Sequence, residues 1–252
     1  MIVLKSPHEL ALMREAGRIV ARTLAALREF IQPGVTTAQL DALAYRIITQ
    51  HGAVPSFKGY RGFPASLCAS VNEEVVHGIP GPRVLKEGDI ISLDVGAIYQ
   101  GYHGDAAITV GVGEISGEAA RLMEVAVGAL EAGIAQARPG RRLWDVIRAI
   151  QSHVEARGFN VVREYQGHGI GQEMHEEPNI PNFLNSSGPR PKNVRLRPGM
   201  TLALEPMVVV GDWRTRVLDN KWTVVTKDGK LSAHFEHTVA VTEEGPEILT
   251  RL

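Results

Sequence analysis

The stretch Ile90-Ile91-Ser92-Leu93-Asp94-Val95-Gly96-Ala97-Ile98-Tyr99-Gln100-Gly101-Tyr102-His103-Gly104-Asp105-Ala106-Ala107-Ile108-Thr109-Val110 decides how this chain folds. Two β-rich apolar runs flank Gln100-Gly101, a short glycine-containing turn, and predict a hairpin of strands from Ile90 to Tyr99 and from Tyr102 to Val110. With Tyr99 paired to Tyr102, residues whose numbers sum to 201 face one another, so Asp94 lies opposite Ala107. Side chains alternate between the faces of a strand, which puts Asp105, two residues from Ala107, on the face of Asp94. Diagonal positions of that kind are about 7–8 Å apart, near enough for two side chains to share a metal cluster. Edge-strand charges facing water are the plain alternative. Asp is disfavoured in strands, however, and two acids on one side of an apolar hairpin favour a site.

Outward from the hairpin, the chain repeats itself. Ser6-Pro7-His8-Glu9 has the spacing of a capping box with Pro at the first helical position, and Leu12, Ala16, Ile19, Val20, Leu24 and Leu27 recur at helical steps until Pro33-Gly34. A second helix from about Thr37 to Gln50 ends at Gly52, a residue suited to a left-handed cap. A shift of 106 positions carries Pro33-Gly34 onto Pro139-Gly140, Leu40 onto Val146, Ile48 onto Val154 and Gly52 onto Gly158. Leu85-Lys86-Glu87-Gly88 and the run to Asp94 then parallel Leu196-Arg197-Pro198-Gly199 and the run to Glu205. Gly104-Asp105-Ala106 parallels Phe235-Glu236-His237, with about twenty extra residues in the second half. Each half contributes two acids, so Asp94 matches Glu205 and Asp105 matches Glu236.

Four carboxylates converging in a core cannot all stay ionised unaided, because like charges a few Å apart raise one another's pKa. Two divalent cations balance four negative charges, and an oxygen-rich donor set suits Mn, Fe, Co or Zn. A neutral imidazole is the natural extra ligand. His168 stands in Gly167-His168-Gly169-Ile170-Gly171 after Phe159 to Tyr165, which reads as a strand, and the flanking glycines let the backbone approach closely. A dinucleotide loop is excluded because Met174 stands where that fingerprint needs glycine. His77 in His77-Gly78-Ile79-Pro80 and His175 in His175-Glu176-Glu177-Pro178 have unusual neighbours, although loop surface explains both, and the latter is no His-Glu-x-x-His zinc motif. His8, His51, His103, His153 and His234 show no comparable setting, and His237 points to the opposite strand face from Glu236.

Together these motifs resemble the type I methionine aminopeptidases, members of the pita-bread dinuclear metallohydrolases. The resemblance runs from Met13-Arg14-Glu15-Ala16-Gly17 through Asn72-Glu73, His77-Gly78-Ile79-Pro80, Gly104-Asp105, the glycines around His168, His175-Glu176-Glu177-Pro178 and Glu205-Pro206 to Glu236-His237-Thr238. It implies an α+β pita-bread fold, two pseudo-symmetric halves with an antiparallel sheet covered by helices. It further implies that Asp94, Asp105, His168, Glu205 and Glu236 hold two divalent ions (Co, Mn, Fe or Zn), with Asp105 and Glu236 bridging. The activity implied is removal of an N-terminal methionine from peptides and nascent proteins whose second residue is small. Glu205 would take the proton of the attacking water, His175 would stabilise the oxyanion, and His77 would hold the peptide near the scissile nitrogen. Tyr60, Phe63, Cys68, Met174 and Trp222 would line the methionine pocket. Phe57, Phe63 and Met174 depart from the common bacterial choices of cysteine, tyrosine and phenylalanine, but the pocket stays apolar. Proline-directed peptidases of the same fold and a metal-free binding protein are the alternatives.

Composition agrees. With 44% hydrophobic and 22% charged residues the chain is of ordinary globular make-up, and 27 Lys plus Arg against 28 Asp plus Glu leave no basic footprint for nucleic acid. A lone Cys68 cannot pair within the chain, which favours a reducing compartment. No leader-like or membrane-length apolar run appears. The expectation is a cytoplasmic monomer of one catalytic domain over residues 1–252, with halves of roughly 1–110 and 111–252 and no room for an N-terminal extension. A transient ribosome contact follows only from the origin of the substrate, without a basic patch to carry it.

Overall fold

Ser6 and Glu9 close a reciprocal cap in the computed structural model, which describes residues 1–185 and 190–252. The Ser6 N–H donates to Glu9 Oε2 at 2.7 Å and the Glu9 N–H to Ser6 Oγ at 3.3 Å, starting helix α1 (Pro7–Phe30). Thr36 and Gln39 cap helix α2 (Thr37–Gln50) in the same way. The second half repeats the pair as α3 (Gly117–Gln136) and α4 (Leu143–Glu155). The Pro-Gly turns between helices are equivalent in detail. Gly34 and Gly140 both adopt left-handed φ, at 94° and 84°, and their N–H groups donate to Leu85 O and Leu196 O. The repeated Leu-x-x-Gly segments therefore exist to tie each helical turn to its half of the sheet.

The main sheet has nine strands: β1 (Val54–Pro55), β2 (Leu67–Val71), β3 (Ile90–Tyr99), β4 (Tyr102–Gly111), β5 (Gln166–Gly169), β6 (Glu176–Pro181), β7 (Thr201–Leu204), β8 (Glu236–Thr242) and β9 (Gly245–Ile248). Their order is β1-β3-β4-β8-β7-β5-β6, with β2 on β3 and β9 on β8, and all pairings are antiparallel. The central β3-β4-β8-β7 order places two hairpin-like pairs back to back, so the halves meet in one continuous sheet. The expected α+β architecture with helix-covered antiparallel sheet is present.

Alternation along β3 separates two faces. Ile91, Leu93, Val95 and Ala97 pack with Ile19, Leu24 and Leu27 of α1 and with Leu40, Ala44 and Ile48 of α2, while Ser92, Asp94 and Gly96 point the other way. In the second half Leu202, Leu204, Val239 and Val241 join Leu122, Ala126, Ile147 and Ile150 of α3 and α4 in the equivalent core. Apolar burial on one face thus leaves the opposite face free to carry charge.

One expectation needs correction. Phe159 to Tyr165 is not a continuous strand: only Asn160–Val161 is, pairing with Met207–Val209, and the chain then bends. Glu164 turns outward, accepting from the Thr215 N–H at 2.9 Å and the Thr215 hydroxyl at 2.5 Å, so the alternation is broken there. His168 consequently lies within β5 itself. The extra residues of the second half form the strands Met207–Val209, Thr215–Val217 and Val224–Thr226, and the last two are joined by the turn that carries Trp222.

Gly17 explains the first motif of the resemblance. A Cβ there would overlap the backbone carbonyl of Leu249, and one at Gly104 would come within 2.7 Å of the Gly17 nitrogen. Helix α1 rests directly on β4 through these two glycines. Helix propensity alone makes Gly17→Ala stabilising, whereas overpacking against immovable backbone costs about 1–3 kcal/mol. Packing is expected to win, and thermal unfolding checks it: a raised midpoint in Gly17→Ala would contradict the close-approach argument.

Candidate metal centre and substrate pocket

In the hairpin, Asp94 pairs with Ala107 and Gly96 with Asp105, the register that the turn implied. Strand β8 joins β4 only at Glu236↔Ala107 and His237↔Ala106. On each side of this short contact a threonine of one strand clamps the other. The Asp105 N–H donates to Thr238 Oγ1 at 3.0 Å while the Thr238 hydroxyl donates to Asp105 O at 2.8 Å. Likewise the His234 N–H donates to Thr109 Oγ1 at 2.9 Å and the Thr109 hydroxyl to His234 O at 2.8 Å. Asp105 and Glu236 are thereby held side by side from the two halves. Glu205 directly follows β7, with its carbonyl accepting from Asn182 Nδ2 at 3.0 Å. His168 pairs with Ala203 one strand away, at a site where a Cβ on either flanking glycine would strike backbone carbonyls.

The acids have few protein partners. Asp94 Oδ1, Asp105 Oδ1, Glu236 Oε1 and His234 Nε2 are buried without a hydrogen bond among the described residues. One donor atom each from Asp105, His168 and Glu236 lie within 4.8 Å of one another, and His168 Nε2 is 3.5 Å from Glu205 Oε1. His168 Nδ1 is 2.8 Å from Gly169 O. A carbonyl only accepts, so the proton sits on Nδ1 and the lone pair on Nε2 faces the acids. Burial pushes Asp94 up to about 7, and burial with mutual repulsion drives Asp105, Glu205 and Glu236 well above the carboxylate range. The ring of His168 is driven down to about 3 by burial and then by His175. Buried acids that resist ionisation, a neutral imidazole and orphaned donor atoms together fit divalent cations, which the described protein groups do not replace.

A cavity of about 160 Å³ opens above this floor. That is small against the roughly 300–1,000 Å³ of drug-sized pockets and suits a single side chain. Phe57, Phe63, Cys68 and Met174 form its apolar wall with Tyr60 and Trp222, and Ala65 and Ile79 belong to the same hydrophobic cluster. All twelve candidate residues line this one cavity: the four acids with His168, then His77, His175 and the five pocket residues. Phe63 meets Trp222 edge-on at 5.1 Å, and Cys68 stands across from Asp94 in the β2–β3 ladder. His77 reaches inward from a left-handed backbone position with φ of 59° and lies edge-on to Trp222. Burial, and next His175, push its ring down to about 4. His175 lies 4.2 Å from the His168 ring, and its Nδ1 is 2.8 Å from the Tyr60 hydroxyl.

A family model described as metallopeptidase family M24 matches residues 11–243. The chain belongs to metallopeptidase family M24. As an M24 member it is 56% identical to methionine aminopeptidase 1 of Bacillus subtilis (strain 168), over 100% of both chains. It is 53% identical to methionine aminopeptidase of Clostridium perfringens (strain 13 / Type A), over 99% of each. The crystal structure of methionine aminopeptidase from Thermotoga maritima superposes with a TM-score of 0.96 at 50% identity, covering 100% of both chains. The pita-bread fold of this M24 chain is thus established.

Two residues at the site escaped the sequence reading. Arg61, with φ of 49°, lines the cavity mouth. His234 lies behind Glu205 and Glu236, and the usable signal was its two-residue spacing from Glu236, which puts both on one strand face. Tyr60→Phe removes the hydroxyl that orients His175 and is expected to lower kcat about tenfold with KM nearly unchanged. Steady-state kinetics on a Met-Gly peptide check this, and an unchanged kcat would remove Tyr60 from the positioning of His175.

Proposed function

We propose that this M24 chain removes the N-terminal methionine from peptides and nascent proteins whose second residue is small, using divalent metal held by Asp94, Asp105, His168, Glu205 and Glu236. The observation that carries the reading is the placement of that buried acid and imidazole cluster at the floor of a cavity sized for one apolar side chain. Divalent ions there supply Lewis acidity toward a water and a carbonyl oxygen and compensate the carboxylates.

The remaining work falls to side chains. Phe63, Met174 and Trp222 take up the unbranched thioether chain, whose flexibility suits an apolar slot. Glu205 accepts the proton of the attacking water and returns it to the leaving nitrogen as the C–N bond breaks. His175, oriented through Nδ1 by Tyr60, offers Nε2 to the developing oxyanion. His77, kept neutral by burial, stands across the cavity as a hydrogen-bonding group for the peptide nitrogen. Apolar closure around the methionine end restricts the reaction to chain termini.

The cluster draws Asp94 and Asp105 from the first half and the other three from the second, which supports one catalytic unit over both halves. The same reading makes the protein a monomer working in the cytoplasm on emerging chains. No helix among the described residues is long and apolar enough to cross a membrane. The test is cleavage of Met-Gly-, Leu-Gly- and Met-Leu-initiated peptides and an X-Pro peptide by the metal-loaded protein. Release of methionine from Met-Gly at rates about a hundredfold above the others is expected, and preferential X-Pro cleavage, or none of any kind, would overturn the reading.

A further inference from the structure

We propose that His234 is a further nitrogen donor of the metal centre, binding through Nε2 beside Glu205 and Glu236. The proposal rests on the metal-centre reading above. His234 ends the strand Ser232–His234 and is only 2% exposed. Its Nε2 has no hydrogen-bond partner among the described residues, lying 3.9 Å from Glu205 Oε2 and 3.8 Å from Glu236 Oε2. Those separations exceed the roughly 3.2 Å limit of a good hydrogen bond. They are close to what two donors keep when they share an ion, since bonds of about 2.0–2.2 Å at tetrahedral or octahedral angles hold donors about 3.0–3.6 Å apart. His168 Nε2, already in the ligand set, stands at a comparable 3.5 Å from Glu205 Oε1.

The alternative, a histidine satisfied in the core, fails on the same count. His103 has Ser56 Oγ at 2.9 Å and His237 has Thr250 Oγ1 at 2.9 Å, so the fold supplies hydroxyls to histidines that serve packing. Among the described histidines, only His234 has a buried ring nitrogen left without any hydrogen-bonding group, an exception that a missing ligand accounts for.

The seam between the halves gives an independent argument. Thr238 clamps the backbone of Asp105 through both its N–H and C=O, and Thr109 clamps His234 in the same two ways. Each threonine stands four residues after its strand's own clamped residue. The order Asp105, Ala107, Thr109 on one strand therefore answers to His234, Glu236, Thr238 on the other. Sequence motifs equate Asp105 with Glu236, but the clamps equate Asp105 with His234. The fold holds both residues rigid at symmetric places, with side chains on the strand face that carries the acids.

Proton NMR of the Co(II)-loaded protein tests this, because each cobalt-bound imidazole shows its remaining ring N–H as a strongly shifted, solvent-exchangeable signal. Two such signals are expected from the unaltered protein, from His168 and His234. His234→Gln is expected to remove one and to weaken Co(II) binding at least about tenfold by calorimetry. A single imidazole N–H signal at full Co(II) occupancy overturns the assignment of His234 and leaves the other five ligands standing. Failure to bind Co(II) at all overturns both this proposal and the proposed function.

Discussion

Glu205→Gln is expected to cut kcat on Met-Gly peptides about a thousandfold while leaving KM within a few-fold. Glutamine keeps the length and one carbonyl oxygen of the side chain, so metal retention is largely preserved, but an amide cannot accept the water's proton. Glu205 is the acid best placed for that task. It follows β7 at the rim of the cluster, keeps 14% of its side chain open, and lies 3.5 Å from His168 Nε2, whereas Asp105 and Glu236 are sealed in the seam between strands. The apolar wall of Phe63, Met174 and Trp222 does not touch Glu205's proton chemistry, which is why binding is spared. The measurement is steady-state kinetics alongside metal content by mass spectrometry. Loss of less than tenfold in a variant that holds its metal would mean that Glu205 is a ligand only and that another group takes the proton.

The acids were legible in the sequence because local rules sufficed for them. Gln100-Gly101 fixes the hairpin register, the register fixes that Asp94 and Asp105 share a face, and the 106-residue repeat supplies Glu205 and Glu236. His168 was legible as a candidate through its glycines, though its strand was misplaced, because Glu164 is drawn outward to Thr215 by a contact fifty-one positions away. What governs the pocket is of that non-local kind. Trp222 arrives on a turn inserted in the second half, Tyr60 meets His175 across 115 positions, and His77 is aimed by a left-handed φ that nothing in His77-Gly78-Ile79-Pro80 announces. The family resemblance gave those residues their roles, and residue patterning alone did not. His234 was passed over although its spacing from Glu236 was available, because a lone histidine reads as core until the absence of its partner is visible.

Metal removal is expected to make the protein's stability fall steeply as pH rises above neutrality, and added metal to abolish that fall. In the metal-free fold Asp94 is raised from an ordinary 3.8 to about 7, and Asp105, Glu205 and Glu236 are raised well above the ordinary carboxylate range by burial and mutual repulsion. A carboxyl whose folded pKa lies above its unfolded value keeps its proton in the fold and loses it on unfolding. Its contribution is complete below about pH 4 and disappears as pH rises through the folded pKa. Histidines act in the opposite sense. His168 and His234 are held down to about 3, and His77, His103 and His237 to about 4, so below their ordinary 6.5 the unfolded chain gains protons that the fold refuses. From about pH 7.5 upward the histidines are nearly all neutral in both states, and the acids set the slope. Each retained proton costs ~1.4 kcal/mol per pH unit. With two such protons the thermal midpoint of the chelator-treated protein drops by about 5–10 °C per unit. Mn(II) or Co(II) replaces those protons with fixed positive charge, so the loaded protein is level across the window and the stabilisation by metal grows with pH. Thermal unfolding at pH 7.5, 8.0 and 8.5, with and without Mn(II), decides the matter. A metal-free midpoint that stays level would show that the four carboxylates are not gathered as tightly as Asp105 and Glu236 are drawn here, and the case for a charge-compensating metal centre would fall with it.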